Sequence, residues 1–263
     1  MAMSRPEYWA ALKSAHSEVG YLEKKANSQL DDKTANAGYN NWTKYPKKIW
    51  ETAKKQKCTK YVKEIDYGAA WCDCFHDFNV LVASDNSVKD AATALCGRFD
   101  DYTPSSVELY KKEGRWGTKP MLGAQVFFGD GDYPTHTGHV YAYGTTAIRT
   151  IEGNTSGSAG VVANGGGVFR KSYDIDYKRI VGYGYPKWIK DPPKLGRYKA
   201  LKTLNVRDDT KATARKLGSA ATGKTINVTA LRVNSAGNTW GYANNLGGWV
   251  CLCNKARANA VRA

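Results

Sequence analysis

The hydrophobic period of this chain changes near residue 120, and that change limits what it can fold into. Before it, large side chains recur at helical spacing. Trp9, Leu12 and His16 share a face, with Val19 one turn on, and Trp71, Phe75, Phe78 and Val82 form a second stripe. After it come short strand-like runs separated by Gly, Asp and Pro turns: GAQVFF (123–128), GHVYAY (138–143), AIRTIE (147–152), then 167–173 and 180–185. Helices first and an antiparallel sheet afterwards is an α+β pattern.

Residues 5–57 read as largely helical. Ser4, Arg5, Pro6 and Glu7 look like a cap with proline near the first turn, a polar loop follows at 27–41, and a second helix closes at Trp50. A further helix is predicted over 68–84. The stretch KDPPKLG (190–196) reads as a linker. Beyond it lie only short strands, at 200–207, 224–233, 238–244 and 247–253. The expected organisation is therefore a domain over 1–189, a linker over 190–197 and a small all-β module over 198–263.

The 263 residues carry a net charge of +15, and residues 191–263 hold 13 Lys/Arg against 3 Asp/Glu, a net of +10. Such a basic region attracts polyanions: nucleic acid, anionic membrane or wall teichoic acid. The alternative is a solubilising surface. There is no nucleic-acid motif, and no stretch is apolar enough to span a bilayer. The N-terminal segment lacks an apolar signal core, so the expectation is a protein made in the cytoplasm, without a signal peptide, that reaches its target by another route. Six cysteines are few for a disulfide scaffold. Cys72/Cys74 and Cys251/Cys253 are C-x-C pairs, too close to bridge internally. Most read as free thiols, and a Cys58–Cys96 pairing is left open.

The segment GAAWCDCFHDF (68–78) concentrates the reactive groups. Cys72 falls at a predicted helix N-terminus, where unpaired amides and the macrodipole favour a thiolate. Cys74 points elsewhere, about 200° around the helix, and reads as packed. A base on a strand is the simplest partner. His136 and His139 are three apart in THTGHV, so strand alternation sends them to opposite faces. His136 begins the strand beside a turn and is preferred; His139 reads as strand body. Glu152 and Asn154 in IEGN would share one face of the next strand and orient the imidazole. A zinc site of Cys72, Cys74, His76 and His136 is disfavoured, because C-x-C on a helix splays the sulfurs. The acids at 30–32 and 129–132 are candidates for calcium, but the loop D-D-K-T-A-N-A-G lacks a bidentate acid at the required spacing and reads as a solvated loop. No metal or cofactor is expected.

WCDCF, then H-T-G-H-V, then I-E-G-N resembles the CHAP family, the cysteine, histidine-dependent amidohydrolases/peptidases of peptidoglycan. EVGYLEK and NAGYNNWTKY also look like the N-terminal part of phage endolysins of this type. The resemblance spans about residues 5–190. It implies a papain-like α+β fold with Cys72 as nucleophile, His136 as general base, Glu152 orienting the histidine and Asn154 as a further polar member. His76 and His139 stand where the family has aliphatic residues, and Ala124 where it has an acid. The tail motifs L-N-V-R (204–207) and G-W-V (248–250) resemble a bacterial Src-homology-3-like barrel. That resemblance implies wall binding, with Trp240, Tyr242 and Trp249 as candidate contacts; otherwise these aromatics are core. The expected activity is hydrolysis of a muramoyl-alanine, stem-peptide or cross-bridge amide. The expected partners are peptidoglycan and anionic wall polymers, with no nucleic acid and no membrane insertion. The localisation implied is host cytoplasm and then cell wall, through a holin-type pore, or the cell exterior when the protein is applied from outside. A non-catalytic wall- or polyanion-binding protein is the alternative.

Overall fold

The computed structural model describes residues 6–33, 40–62, 68–255 and 257–263. Ser4 and Arg5 of the predicted cap, and 34–38 of the acidic loop, lie outside them. Among the described residues, five α-helices come first: α1 (Tyr8–Glu18), α2 (Lys44–Lys55), α3 (Cys72–Ala83), α4 (Val88–Ala94) and α5 (Thr103–Lys112). The Ser87 hydroxyl caps α4 by accepting the Asp90 amide at 3.3 Å, and α5 carries proline in its first turn.

Strands β1 (Trp116–Gly117), β2 (Gln125–Asp130), β3 (Tyr133–Gly144), β4 (Ala147–Thr155), β5 (Gly167–Asp174) and β6 (Ile180–Gly184) follow. Residues 185–195 hold no helix or strand. The remaining strands are β7 (Gly196–Ala200), β8 (Leu204–Arg207), β9 (Lys216–Ala220), β10 (Thr225–Val233), β11 (Thr239–Ala243), β12 (Gly248–Asn254), β13 (Arg257–Ala258) and β14 (Ala260–Arg262).

The expected papain-like α+β domain followed by a separate small barrel is not what forms. The described strands make one antiparallel sheet that does not close, in the order β1-β6-β2-β3-β10-β11-β12-β8-β9, with β4 and β5 continuing from β3. The junction is β3. Its first half pairs with β2, from Tyr133 to His139. Its last residues outrun β2, and Ala142, Tyr143 and Gly144 pair instead with Arg232, Leu231 and Ala230 of β10. An unpaired strand edge presents a row of open amides and carbonyls, and β10 fills it. Alternation within each strand is legible locally; which distant strand completes an edge is not.

Helix α1 ties the same two regions together. Tyr8 Oη and Thr239 Oγ1 are 2.8 Å apart, and His16 Nε2 lies 2.9 Å from the Val233 carbonyl. Helix α3 is covered on nearly every side rather than along one stripe. Phe75, Val80 and Leu81 are buried, and so are Asp73, His76 and Asp77. Burying a large apolar side chain contributes about 1.5–3 kcal/mol, and Trp71, Phe75, Tyr45 and Ile49 supply such groups under the helix.

Leu231 is fully buried and pairs with Tyr143 of β3 and Gly241 of β11. Leu231→Ala is expected to cost about 2–5 kcal/mol. In urea, tryptophan fluorescence and far-UV circular dichroism should fall together in one transition at a lower midpoint. Two separated transitions would contradict a shared sheet.

Candidate active site

Cys72 is the first residue of α3, and Trp71 is its N-cap with no side-chain capping bond. The first-turn amides are thus left for another acceptor. Trp71 is pinned from two sides. Its indole N–H donates to Glu23 Oε1 at 2.9 Å, and its ring stacks on Tyr45 with centroids 5.4 Å apart.

Two glycines let the helix and the two strands meet. A Cβ on Gly153 would lie 2.5 Å from Phe75 Cβ and 2.7 Å from the Trp71 ring, so β4 can approach α3 this closely only at a glycine. A Cβ on Gly138 would fall 2.5 Å from Glu152 Cγ. The glycines of H-T-G-H and E-G-N are therefore clearances for the carboxylate and for the helix, respectively.

His136 and Glu152 are fully buried. His136 Nε2 is 3.0 Å from Glu152 Oε2. The Tyr173 hydroxyl donates to the same oxygen at 3.1 Å, and the Thr150 hydroxyl donates to Oε1. Saturating a buried carboxylate in this way offsets its loss of water. Burial alone would lower the His136 pKa; the Cys72 thiol and the Glu152 carboxylate, by hydrogen bonding and charge, outweigh it and raise it to about 9. His136 Nδ1 makes no hydrogen bond of standard geometry. The sulfur therefore stands close enough to favour the cationic ring without ideal alignment, which is common before a substrate binds. Thr150 and Tyr173 escaped the sequence reading. Thr150 lies two residues before Glu152 and so shares its face, a signal that was available; Tyr173 is placed by the β4–β5 pairing, which sequence alone does not specify.

Asn154 is not in the extended conformation assumed for it. Its φ is +54°, beside an irregularity in the β4–β5 ladder between Glu152 and Thr155. Its side chain is buried and neither polar atom has a hydrogen-bond partner, which leaves a free amide beside the site. His139 takes another direction from His136. Its ring stacks on His76, centroids 4.2 Å apart, and burial is the main cause lowering its pKa to about 3. Burial, then the charges of Asp73 and Asp77, push the Cys74 thiol well above its ordinary pKa, which makes it inert. All six cysteines are free, Cys58 and Cys96 included.

Of the C-terminal aromatics, Trp240 is buried. Tyr242 and Trp249 are half-buried cross-strand partners in edge-to-face contact at 5.5 Å, and the Arg232 guanidinium sits 4.8 Å over Trp249. A concavity of about 710 Å³ lies elsewhere, lined by Arg115, Lys119, Met121, Tyr143 and Tyr185 among others, and none of Cys72, His136, Glu152 and Asn154 borders it.

No protein-family model matches the chain, and no curated protein matches it significantly. Among solved structures it is similar to "The crystal structure of Ly7917", at 12% identity and a TM-score of 0.36 with 97% of each chain covered. It is likewise similar to "The crystal structure of Ly7917 with the hydrolyzing product of MDP", at 14% identity and 0.37, again with 97% of each chain covered. TM-scores this low establish neither a shared fold nor a shared activity.

Gly153→Ala is expected to lift α3 off β4 and draw Cys72 away from His136. Alkylation of Cys72 by iodoacetamide, mapped by mass spectrometry, should slow by about tenfold, with the far-UV spectrum unchanged. Acid should also erode stability through His139. Its folded pKa lies below the ordinary 6.5, so the unfolded chain takes up the proton first. Stability is intact above about pH 6.5 and falls towards pH 3, by up to about 1.4 kcal/mol per pH unit for this group. The thermal midpoint of a His139→Leu protein should hold further into acid than that of the natural chain.

Proposed function

We propose that this chain is a cysteine-dependent peptidoglycan hydrolase of the CHAP kind that its motifs resemble, cutting an amide bond of the bacterial wall. One observation carries the reading: a buried imidazole held between the Cys72 thiol and a carboxylate, Glu152, that is itself saturated with donors. Nucleophile, base and orienting acid in sequence are what acyl transfer by a thiol requires.

In this reading the Cys72 proton passes to His136 and the sulfur attacks the amide carbonyl. The developing oxyanion faces the uncapped amides at the start of α3. His136 then protonates the leaving amine as the C–N bond breaks, leaving a thioester on Cys72. Water attacks that carbonyl while His136 accepts its proton. The C–S bond breaks, the product acid leaves, and the proton returns to sulfur. Glu152 keeps the ring oriented and stabilises its cationic form. The Asn154 amide is a polar contact for the bound substrate. The bond is the muramoyl-alanine amide or one within the stem or cross-bridge peptide.

The basic C-terminal strands, with Arg232, Tyr242 and Trp249 at a half-exposed patch, would add affinity for an anionic wall and raise local substrate concentration. The same charge is what favours the second reading, a wall- or polyanion-binding protein without catalysis.

Purified walls separate the two. Cys72→Ala should abolish lysis and Cys74→Ala should leave it within about threefold of the natural chain. Mass spectrometry of the released fragments then names the bond. Binding without any fragment release would favour the second reading, and loss of lysis in the Cys74 variant alone would refute the assignment. With its pKa raised to about 9, His136 holds at neutral pH the proton it takes from Cys72 and can pass it to the leaving amine. The basic limb of kcat/KM should therefore fall near pH 9, and Glu152→Gln, by withdrawing one support of the cation, should move that limb to lower pH.

A further inference from the structure

The first turns of α3 carry three metal-binding side chains that the proposed catalysis leaves unused. Asp73, His76 and Asp77 are spaced i, i+3 and i+4, which places them on one side of the helix. All three are buried, and one ligand atom from each lies within 4.8 Å of the others. His76 Nδ1 stands 3.3 Å from Asp77 Oδ1. Two ligands held at about 2.1 Å by a tetrahedral zinc ion are roughly 3.4 Å apart, so this pair already has the spacing of ligands.

The neighbours are those of a metal's outer shell. The Ser106 hydroxyl donates to Asp73 Oδ2 at 2.6 Å and the Gln125 amide to Oδ1 at 2.7 Å. The Asp100 backbone amide donates to Asp77 Oδ2 at 3.0 Å. Such partners fix the carboxylates and still leave lone pairs for a cation. The two carboxyls are buried side by side, and nearby Arg98 is committed to Asp100 at 2.8 Å. A cation between buried acids offsets the water they lose. His76 Nε2 is also buried without a hydrogen bond of standard geometry, so the imidazole is only half satisfied without an ion.

We propose that Asp73, His76 and Asp77 form a structural site for a divalent transition-metal ion of the zinc type. One imidazole with two carboxylates suits zinc better than calcium, which takes oxygen ligands alone. The cluster is enclosed, so the ion would be taken up as the chain folds, as structural metals are. It would brace the helix end that presents Cys72.

The test uses the full chain, unfolded in guanidinium with a chelator, then refolded either in chelator or in micromolar zinc chloride and desalted. Elemental analysis should find about one zinc per chain in the second sample and below about 0.1 in the first. The zinc sample should melt at least about 5 °C higher. Cobalt in place of zinc should give visible d–d bands. His76→Gln and Asp77→Asn should each lower the retained zinc at least about tenfold. Folded natural protein that retains less than 0.1 zinc and melts identically in both samples overturns the proposal. So does a full equivalent of zinc in both variants, which places the ion elsewhere. If the variants fail to fold, the metal content, melting shift and cobalt spectrum of the natural chain decide.

Discussion

Everything about the site depends on how closely α3 lies on β4. Gly153 removes the one side chain that would hold them apart, and Trp71 and Phe75 fill the space it leaves. That contact brings the start of a helix, with its uncapped amides and its thiol, to the end of a strand pair carrying His136 and Glu152. Trp71 is the hinge pin of this arrangement. Tyr45 holds its face and Glu23 its indole nitrogen, so residues from the first fifty positions fix where Cys72 sits.

Electrostatics divides the four histidines. Burial lowers the pKa of His16 to about 4 and of His139 to about 3, and drives His76 down as well. His136 is as buried as any of them, yet its pKa moves upward. The difference is partnership. His136 lies between a sulfur and a carboxylate, and Glu152 has Thr150 and Tyr173 to replace the water it gave up. A low dielectric punishes an isolated charge and rewards a paired one. That contrast picks out His136 more sharply than its place in the strand does.

Much of the site was legible because its logic is local. Helix spacing separates Cys72 from Cys74, and strand alternation separates His136 from His139. What stayed hidden is non-local or conformational. Nothing in the spacing of H-T-G-H and E-G-N says that one glycine makes room for Glu152 and the other for Phe75. Tyr173 reaches Glu152 only through the pairing of β5 with β4. Asn154 leaves the extended conformation at a ladder irregularity, so counting alternate residues through it fails. The architecture is the least legible part of all. Short alternating strands after a proline-rich connector look like a detached barrel, whereas β10 completes the edge that β3 leaves open.

That shared edge bears on modularity. A proline-rich connector followed by short basic strands invites the picture of two exchangeable units. Here the C-terminal strands finish the sheet that carries His136, and they also hold the far ends of α1 through Val233 and Thr239. Deleting or swapping everything after the connector would strip Ala142–Gly144 of their β10 neighbour, leaving β4 on the other side and a sticky strand edge. Shuffling this chain's parts would therefore mean grafting a replacement strand onto β3, rather than simply joining a different tail.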